Sequence, residues 1–124
     1  PGGWVYRFDM PVQRGFSENM GATHGAEIPF TFNAFAGDAP DSAFFYDRND
    51  PEVRQLALNW SNTILQFART GNPNGAGLPV WPQYTAEDRQ TLILDSAPRI
   101  EAFLDAADRE RWGDTEKTSS EFLR

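Results

Sequence analysis

The chain has 124 residues, within the size range of one domain, and its hydrophobic fraction of 40% is enough for a packed core. Its net charge of −7 repels phosphate backbones and anionic lipid, which argues against nucleic acid and acidic membranes as partners. Without cysteine it can form no disulfide or zinc–thiolate site, so the composition favours the cytoplasm over a disulfide-stapled secreted domain but leaves the location open.

The first half of the chain predicts a strand, a loop and a short helix. Residues 4–8 alternate aromatic side chains on one face and are rich in β-forming residues, which is typical of a strand. Residues 12–23 are mixed and polar and predict a loop. Residues 27–32 predict a short helix, in whose first turn Pro29 is tolerated. A long connection at residues 33–49 follows, and it carries the aromatic residues Phe35, Phe44, Phe45 and Tyr46.

A long helix is predicted at residues 51–69. Asp50 is a good N-cap and Pro51 suits the first helical position. Gly71 and Pro73 then end the helix. One face repeats apolar residues at spacings of three and four, namely Val53, Leu56, Ala57, Trp60, Ile64, Phe67 and Ala68.

The remaining chain predicts an extended segment at residues 78–82, a short strand at 91–94 and a second helix at about 98–111. The apolar stripe of this second helix would be Ile100, Phe103, Leu104 and Ala107. Residues 113–124 predict a polar tail, which leaves residues 1–112 as the folded unit.

The predicted elements do not make a complete sheet. Two short strands form a marginal sheet with open edges, so we expect them to complete a larger sheet built elsewhere. The chain begins at Pro1 rather than methionine, and we therefore expect it to be processed or cut from a longer chain. It contains no run of about 18 apolar residues that could span a membrane.

His24 is the only histidine and hence the only residue suited to proton transfer near neutral pH. Its loop position, after a strand and before a helix, suits a general base, but the residues alone favour a surface or structural histidine. No nucleophile in the chain has a Gly-x-Ser-x-Gly elbow, neither Ser17 nor Ser61. Glu27 could orient the imidazole, although stabilisation of a helix start is its simpler role.

Metal and cofactor sites are not predicted. His24 and Glu27 match one arm of a two-metal carboxylate site, but the chain has no second histidine. An acidic cluster lacks the spacing and central glycine of a calcium loop, and we expect a solvated acidic loop instead. The cluster consists of Asp38, Asp41, Asp47 and Asp50.

Several motifs together resemble those of one enzyme family. Residues 21–32 (GATHGAEIPFTF) resemble the catalytic-histidine signature of type-B carboxylesterases, which include the cholinesterases. Residues 5–9 (VYRFD) are similar to the strand that precedes that histidine. Residues 67–74 (FARTGNPN) and 78–84 (LPVWPQY) are similar to the family's closing segment in order and spacing.

The resemblance implies the C-terminal fragment of an α/β-hydrolase fold. The fragment would contain the last sheet strand, the loop of the catalytic histidine and the C-terminal helices. In that fold the triad follows the chain order nucleophile, acid, histidine. His24 would therefore be the general base of a serine carboxylesterase that hydrolyses small-molecule carboxylic esters. The nucleophile, the acid and the oxyanion donors would lie in the missing N-terminal part, which is the partner we expect, and no cofactor is implied.

Two alternatives remain open at this point. One is a non-catalytic, α/β-hydrolase-like binding or adhesion module. The other is an isolated α-rich domain.

The resemblance also implies that Phe35, Phe44 and Phe45 line or cover the acyl or alcohol pocket, because they follow the histidine segment.

Overall fold

The computed structural model describes residues 2–15, 19–35, 45–104 and 106–112. The predicted polar tail at residues 113–124 lies outside the described residues. Within them the strands are β1 (Val5–Phe8), β2 (Thr91–Leu94) and β3 (Arg99–Glu101), and the helices are α1 (Ile28–Thr31), α2 (Pro51–Thr70) and α3 (Ala106–Trp112). None of the described helices is long and apolar enough to cross a membrane.

The strands form one sheet of order β1-β2-β3, with β1 and β2 parallel and β2 and β3 antiparallel. Val5 pairs with Thr91, and Phe8 pairs with Leu94. All four residues of β2 are buried, which is the pattern of a central strand covered on both faces. The two strands predicted from the sequence are thus present, and they lie next to each other although 82 residues separate Phe8 from Thr91 along the chain, residues 9–90.

The second predicted helix is wrong over its first half. Residues 99–101 form β3, in which Ile100 pairs with Leu92. Phe103 has a φ of 55°, in the left-handed region that an α-helix excludes, and α3 begins only at Ala106. The three- and four-residue spacing that predicted a helix here does not reflect one at residues 99–101. A strand of three residues is too short to show the two-residue period that would have identified it.

The long helix was predicted correctly. The Asp50 carboxylate accepts a hydrogen bond from the Glu52 N–H at 2.8 Å and caps its N-terminus. Gly71 ends it with a φ of 74°, and its N–H donates to the Phe67 carbonyl at 2.8 Å. The buried residues of α2 are Val53, Leu56, Ala57, Trp60, Ser61 and Thr63. The apolar stripe is therefore buried only in the first half of the helix, since Phe67 is 46% exposed.

Aromatic rings form the core between the sheet and the helices. Phe30 of α1 is fully buried, and its ring lies edge-on to Phe8 of β1 at 5.0 Å between ring centres. It also contacts Phe35 at 4.9 Å and Tyr46 at 4.8 Å. Edge-to-face pairs of this kind add about 0.5–1.5 kcal/mol each beyond the area they bury. Phe30 therefore fixes α1 against the end of β1.

A second aromatic cluster joins α2 to the segment after it. Trp60 of α2 is 1% exposed and lies 4.6 Å from the ring of Tyr6 and 6.1 Å from that of Trp81. The Trp81 indole N–H donates to the Val5 carbonyl at 3.1 Å. The side chain of Asn74 holds the Trp81 backbone, because its Oδ1 accepts from the Trp81 N–H at 2.6 Å and its Nδ2 donates to the Trp81 carbonyl at 2.9 Å.

Candidate active-site loop

The loop that carries His24 starts at the end of β1 and is fixed by backbone contacts. The Asp9 N–H donates to the Leu94 carbonyl at 2.8 Å and continues the sheet ladder. The Val12 N–H donates to the Gly21 carbonyl at 3.1 Å and draws the two ends of the loop together. Met10 and Val12 are 3% and 2% exposed, so both anchor this loop in the core.

Tyr46 connects the same loop to the core through a hydrogen bond. It is fully buried, and its hydroxyl donates to the Met10 carbonyl at 3.0 Å. Burial, and to a lesser extent the negative charge of Glu27, raises the pKa of Tyr46 above its ordinary value. The hydroxyl is therefore protonated at neutral pH and donates its hydrogen bond to the Met10 carbonyl.

Gln13 connects the loop to the start of α2. Its side-chain Nε2 donates to Asp50 Oδ2 at 2.7 Å, and its Oε1 accepts from the Asp47 N–H at 2.8 Å. Its own backbone N–H donates to the Phe45 carbonyl at 2.8 Å. This network lowers the pKa of Asp50, chiefly through the hydrogen bond from Gln13.

His24 stands at the tip of a tight turn. The Ala26 N–H donates to the Thr23 carbonyl at 3.1 Å, which closes a four-residue turn with His24 and Gly25 at its centre. Gly25 has a φ of 78°, the conformation that glycine adopts without steric cost at the third position of a type II turn. Ala26 is fully buried and holds the far side of the turn in the core.

The imidazole of His24 is exposed, and no described residue forms a hydrogen bond with it. A hydrogen-bonded turn therefore presents an exposed ring whose two nitrogens are open to groups from elsewhere. The structure does not bring the serines of the chain to it. Ser17 lies outside the described residues, and the Ser61 hydroxyl donates to the Leu58 carbonyl at 3.2 Å inside α2.

Glu27 does not orient the histidine within the described part of the chain. It is half-buried and occupies the N-cap position of α1, but its side chain forms no capping hydrogen bond. The helix-start role predicted for it is therefore not supported by any hydrogen bond. Its charge acts on Tyr6 instead, whose pKa is raised first by burial and then by Glu27.

Two members of the predicted acidic cluster, Asp47 and Asp50, lie in the described part of the chain, and both contact other residues of the protein. Asp47 forms an ion pair with Arg14 at 2.8 Å, and Asp50 caps α2. Asp38 and Asp41 lie outside the described residues. No group of histidine and acidic residues in the described ranges has the arrangement of a metal site.

The aromatic residues expected near a pocket have different environments. Phe35 is 4% exposed and belongs to the core around Phe30, while Phe45 is half-buried against that core. Phe44 lies outside the described residues. Phe35 also contributes to the wall of an open cleft beside the first turn of α2.

Sequence reasoning missed the residues that hold the loop, above all Gln13 and Tyr46. Both act over long sequence distances, Gln13 on Asp47 and Asp50 and Tyr46 on Met10. A tyrosine in a polar connection was the only available signal, because a buried tyrosine needs a partner for its hydroxyl.

Comparison with known proteins shows which family this chain is similar to. The profile of the carboxylesterase family matches residues 3–112. The chain is similar to human cocaine esterase, with 34% identity over 113 residues, which cover 87% of this chain and 19% of that protein. It is also similar to para-nitrobenzyl esterase of Bacillus subtilis, with 38% identity over 100 residues, which cover 79% of this chain and 19% of that protein.

Solved structures agree with the sequence matches. A para-nitrobenzyl (PNB) esterase superposes with a TM-score of 0.74 at 32% identity, over 90% of this chain and 22% of that one. A carboxylesterase of Geobacillus stearothermophilus superposes with a TM-score of 0.72 at 34% identity, over 89% and 22%. The chain thus spans about a fifth of the length of these relatives. The prediction of an α/β-hydrolase fragment is confirmed, and neither the isolated α-rich domain nor the binding module is favoured.

Proposed function

Because the chain belongs to the carboxylesterase family, we propose that it is the C-terminal part of a serine carboxylesterase and contributes His24 as the general base of the triad. The observation that carries this proposal is the geometry of the histidine turn. Backbone contacts and buried neighbours fix the turn, while the imidazole itself is exposed and unpaired within the described residues. A structural histidine would be held by its own hydrogen bonds, whereas a base must keep a ring nitrogen open for a proton.

In the proposed reaction, one imidazole nitrogen of His24 takes the proton of a serine hydroxyl as its oxygen attacks the ester carbonyl. The imidazolium then gives the proton to the leaving alcohol. This first step leaves the acyl group bonded to the serine oxygen. In the second step, His24 takes a proton from a water molecule as the water oxygen attacks the acyl carbonyl carbon, and it then gives that proton to the serine oxygen as the bond between serine and acyl group breaks and the carboxylic acid leaves. The other ring nitrogen donates to a carboxylate that holds the tautomer.

The serine, that carboxylate and the oxyanion donors lie in the part of the fold outside this chain. We therefore expect the chain alone to be inactive. Each oxyanion donor contributes about 3–4 kcal/mol to the stability of the transition state in related chemistry. The substrate class is a small-molecule carboxylic ester, which fits the ester hydrolysis named for cocaine esterase and para-nitrobenzyl esterase.

The experiment measures p-nitrophenyl butyrate hydrolysis by the complete parent protein and its His24→Gln variant. Glutamine keeps the polarity and similar size but cannot take the proton. We expect kcat to fall by a factor on the order of 10³ or more, with the circular dichroism spectrum unchanged. Unchanged turnover would make His24 structural and refute the proposal.

A further inference from the structure

Asn74 and Gly75 form the one Asn-Gly pair of the chain, and they lie in a turn that follows α2. Gly75 is exposed, and its φ of 101° lies in the left-handed region that favours glycine. Within the described residues no group accepts a hydrogen bond from the Gly75 N–H. The peptide nitrogen that follows Asn74 is therefore exposed, unpaired in this part of the chain and not crowded by a Cβ.

This arrangement suits one covalent reaction, the deamidation of asparagine, which makes asparagine a thermolabile residue. The Gly75 peptide nitrogen loses its proton to a base in solution and attacks the side-chain Cγ of Asn74. A cyclic succinimide forms as the bond from Cγ to Nδ2 breaks and the nitrogen takes up a proton and leaves as ammonia. Water then adds to either carbonyl of the ring and opens it to aspartate or isoaspartate.

The other asparagines of the chain are less suited to this reaction. Asn72 precedes Pro73, whose nitrogen carries no proton and cannot attack. The remaining asparagines precede residues whose side chains crowd the peptide nitrogen, and they are Asn19, Asn33, Asn49, Asn59 and Asn62.

The fold holds the side-chain amide of Asn74 from both ends. Its Oδ1 accepts from the Trp81 N–H at 2.6 Å, and its Nδ2 donates to the Trp81 carbonyl at 2.9 Å and to Asn72 Oδ1 at 3.1 Å. These bonds hold the planar amide on the Trp81 backbone, whereas the attack makes Cγ tetrahedral and draws it toward Gly75. The amide must therefore leave Trp81 before it reacts, which requires a local opening of the turn.

We propose that Asn74 is a deamidation site of this protein and that its hydrogen bonds to Trp81 and Asn72 set the rate, because they hold the amide unreactive in the folded state. The products cannot restore these bonds. Aspartate has no donor for the Trp81 carbonyl, and isoaspartate places an extra carbon in the backbone, which moves its carboxylate away from the position of the original amide. The reaction thus loosens the contact that slowed it.

The effect of the modification extends to β1 through Trp81. Trp81 is 5% exposed, and its indole N–H donates to the Val5 carbonyl of β1 at 3.1 Å. The Trp81 carbonyl accepts from the Trp4 indole N–H at 3.0 Å. A modified Asn74 therefore weakens the support of the strand that leads into the loop of His24. The proposal does not depend on ester hydrolysis.

The test follows Asn74 by mass spectrometry in the complete parent protein at mildly alkaline pH, with and without urea. Trypsin cleaves after Arg69 and Arg89 and releases residues 70–89, which contain both Asn72 and Asn74. We expect Asn74 to convert at least about tenfold faster in urea than in the folded protein, and to give isoaspartate as well as aspartate. Asn72 should stay intact in both conditions and is the internal control.

A matched pair of variants tests the hydrogen bond from Asn74 to Asn72. Asn72→Ala removes the acceptor for Asn74 Nδ2, whereas Asn72→Asp keeps an acceptor oxygen. Asn72 is exposed, so both variants should fold. We expect the alanine variant to convert Asn74 roughly threefold faster than wild type in the folded protein, and the aspartate variant to match wild type. In urea all of them should convert alike.

Each other outcome contradicts a specific part of the proposal. No conversion of Asn74 in urea would overturn the site. Conversion in the folded protein as fast as in urea, or faster, would show that the bonds to Trp81 do not slow the reaction. Aspartate without isoaspartate would mean direct hydrolysis of the amide rather than attack by Gly75. Equal rates for the two folded Asn72 variants would remove Asn72 from the contacts that set the rate.

Discussion

The side chain of Asn74 forms two hydrogen bonds with the backbone of Trp81, and we expect the bond from the Trp81 N–H to stabilise the fold more than the bond to the Trp81 carbonyl. In Asn74→Ala the N–H of Trp81 loses its acceptor. Because Trp81 is only 5% exposed, this unpaired donor lowers the free energy of unfolding by about 1–3 kcal/mol. The Trp81 carbonyl loses the Asn74 donor but keeps the Trp4 indole N–H at 3.0 Å, so this second loss costs only about 0.5–1 kcal/mol. Together the two losses predict a fall in the free energy of unfolding of about 1.5–4 kcal/mol.

Asn74→Asp is the matched control: it keeps an acceptor for the Trp81 N–H, but a carboxylate oxygen replaces the Nδ2 that donates to the Trp81 carbonyl and to Asn72 Oδ1. We expect it to cost less than the alanine variant, about 1–2 kcal/mol. Urea unfolding of the chain, followed by the fluorescence of its four tryptophans, measures both values. Equal losses for the two variants, or a loss below about 0.5 kcal/mol for alanine, would refute the assignment of the N–H as the costly group.

Two further sites have measurable consequences. Asp50→Ala should cost about 1 kcal/mol of unfolding free energy through loss of the helix cap, and Asp50→Asn only a few tenths. Because the pKa of Asp50 is lowered below its ordinary 3.8, its carboxylate stabilises the fold above that pH. This contribution fades as the pH falls through the lowered pKa, and Asp50→Asn should flatten the acid limb of the stability profile; an unchanged limb would contradict the assignment. Gly25→Ala should cost about 1–2 kcal/mol because φ is 78°, even though its Cβ would meet Ile28 at an ordinary 3.6 Å. Gly3→Ala, where a Cβ meets nothing within 4 Å, is the control, and equal unfolding free energies for the two would show that the turn is not strained.

The helix α2 was predictable because all its signals are local. Asp50, Pro51 and Gly71 mark its ends within the sequence, and the structure uses each of them as expected. The motifs at residues 67–74 and 78–84 were recognisable from the sequence, but the contact that links them was not. Only the structure shows that Asn74 holds the Trp81 backbone, because that contact depends on the path of the chain between them.

The strand β3 could not have been predicted from its own residues. Its partner β2 defines it, and the reversal at residues 95–98 is marked by the Ala97 N–H donating to Asp95 Oδ1 at 2.8 Å. The apolar spacing around Ile100 fits a helix as well as a strand.

The site was predictable only in part for a related reason. His24 could be singled out by its residue type and by the motif around it. The contacts that hold its loop could not be, because Gln13 and Tyr46 act on residues more than 30 positions away. The resemblance implied that the nucleophile, the acid and the oxyanion donors lie outside the chain, but this sequence cannot say which residues they are.

The rate of p-nitrophenyl butyrate hydrolysis by the complete parent protein, with and without His24→Gln, tests the central claim most directly. The account predicts that the wild-type protein turns over the ester and that the variant loses a factor on the order of 10³ or more in kcat while it keeps its fold. Equal turnover by both proteins would remove His24 from the triad, and no turnover by either would contradict the assignment as an esterase.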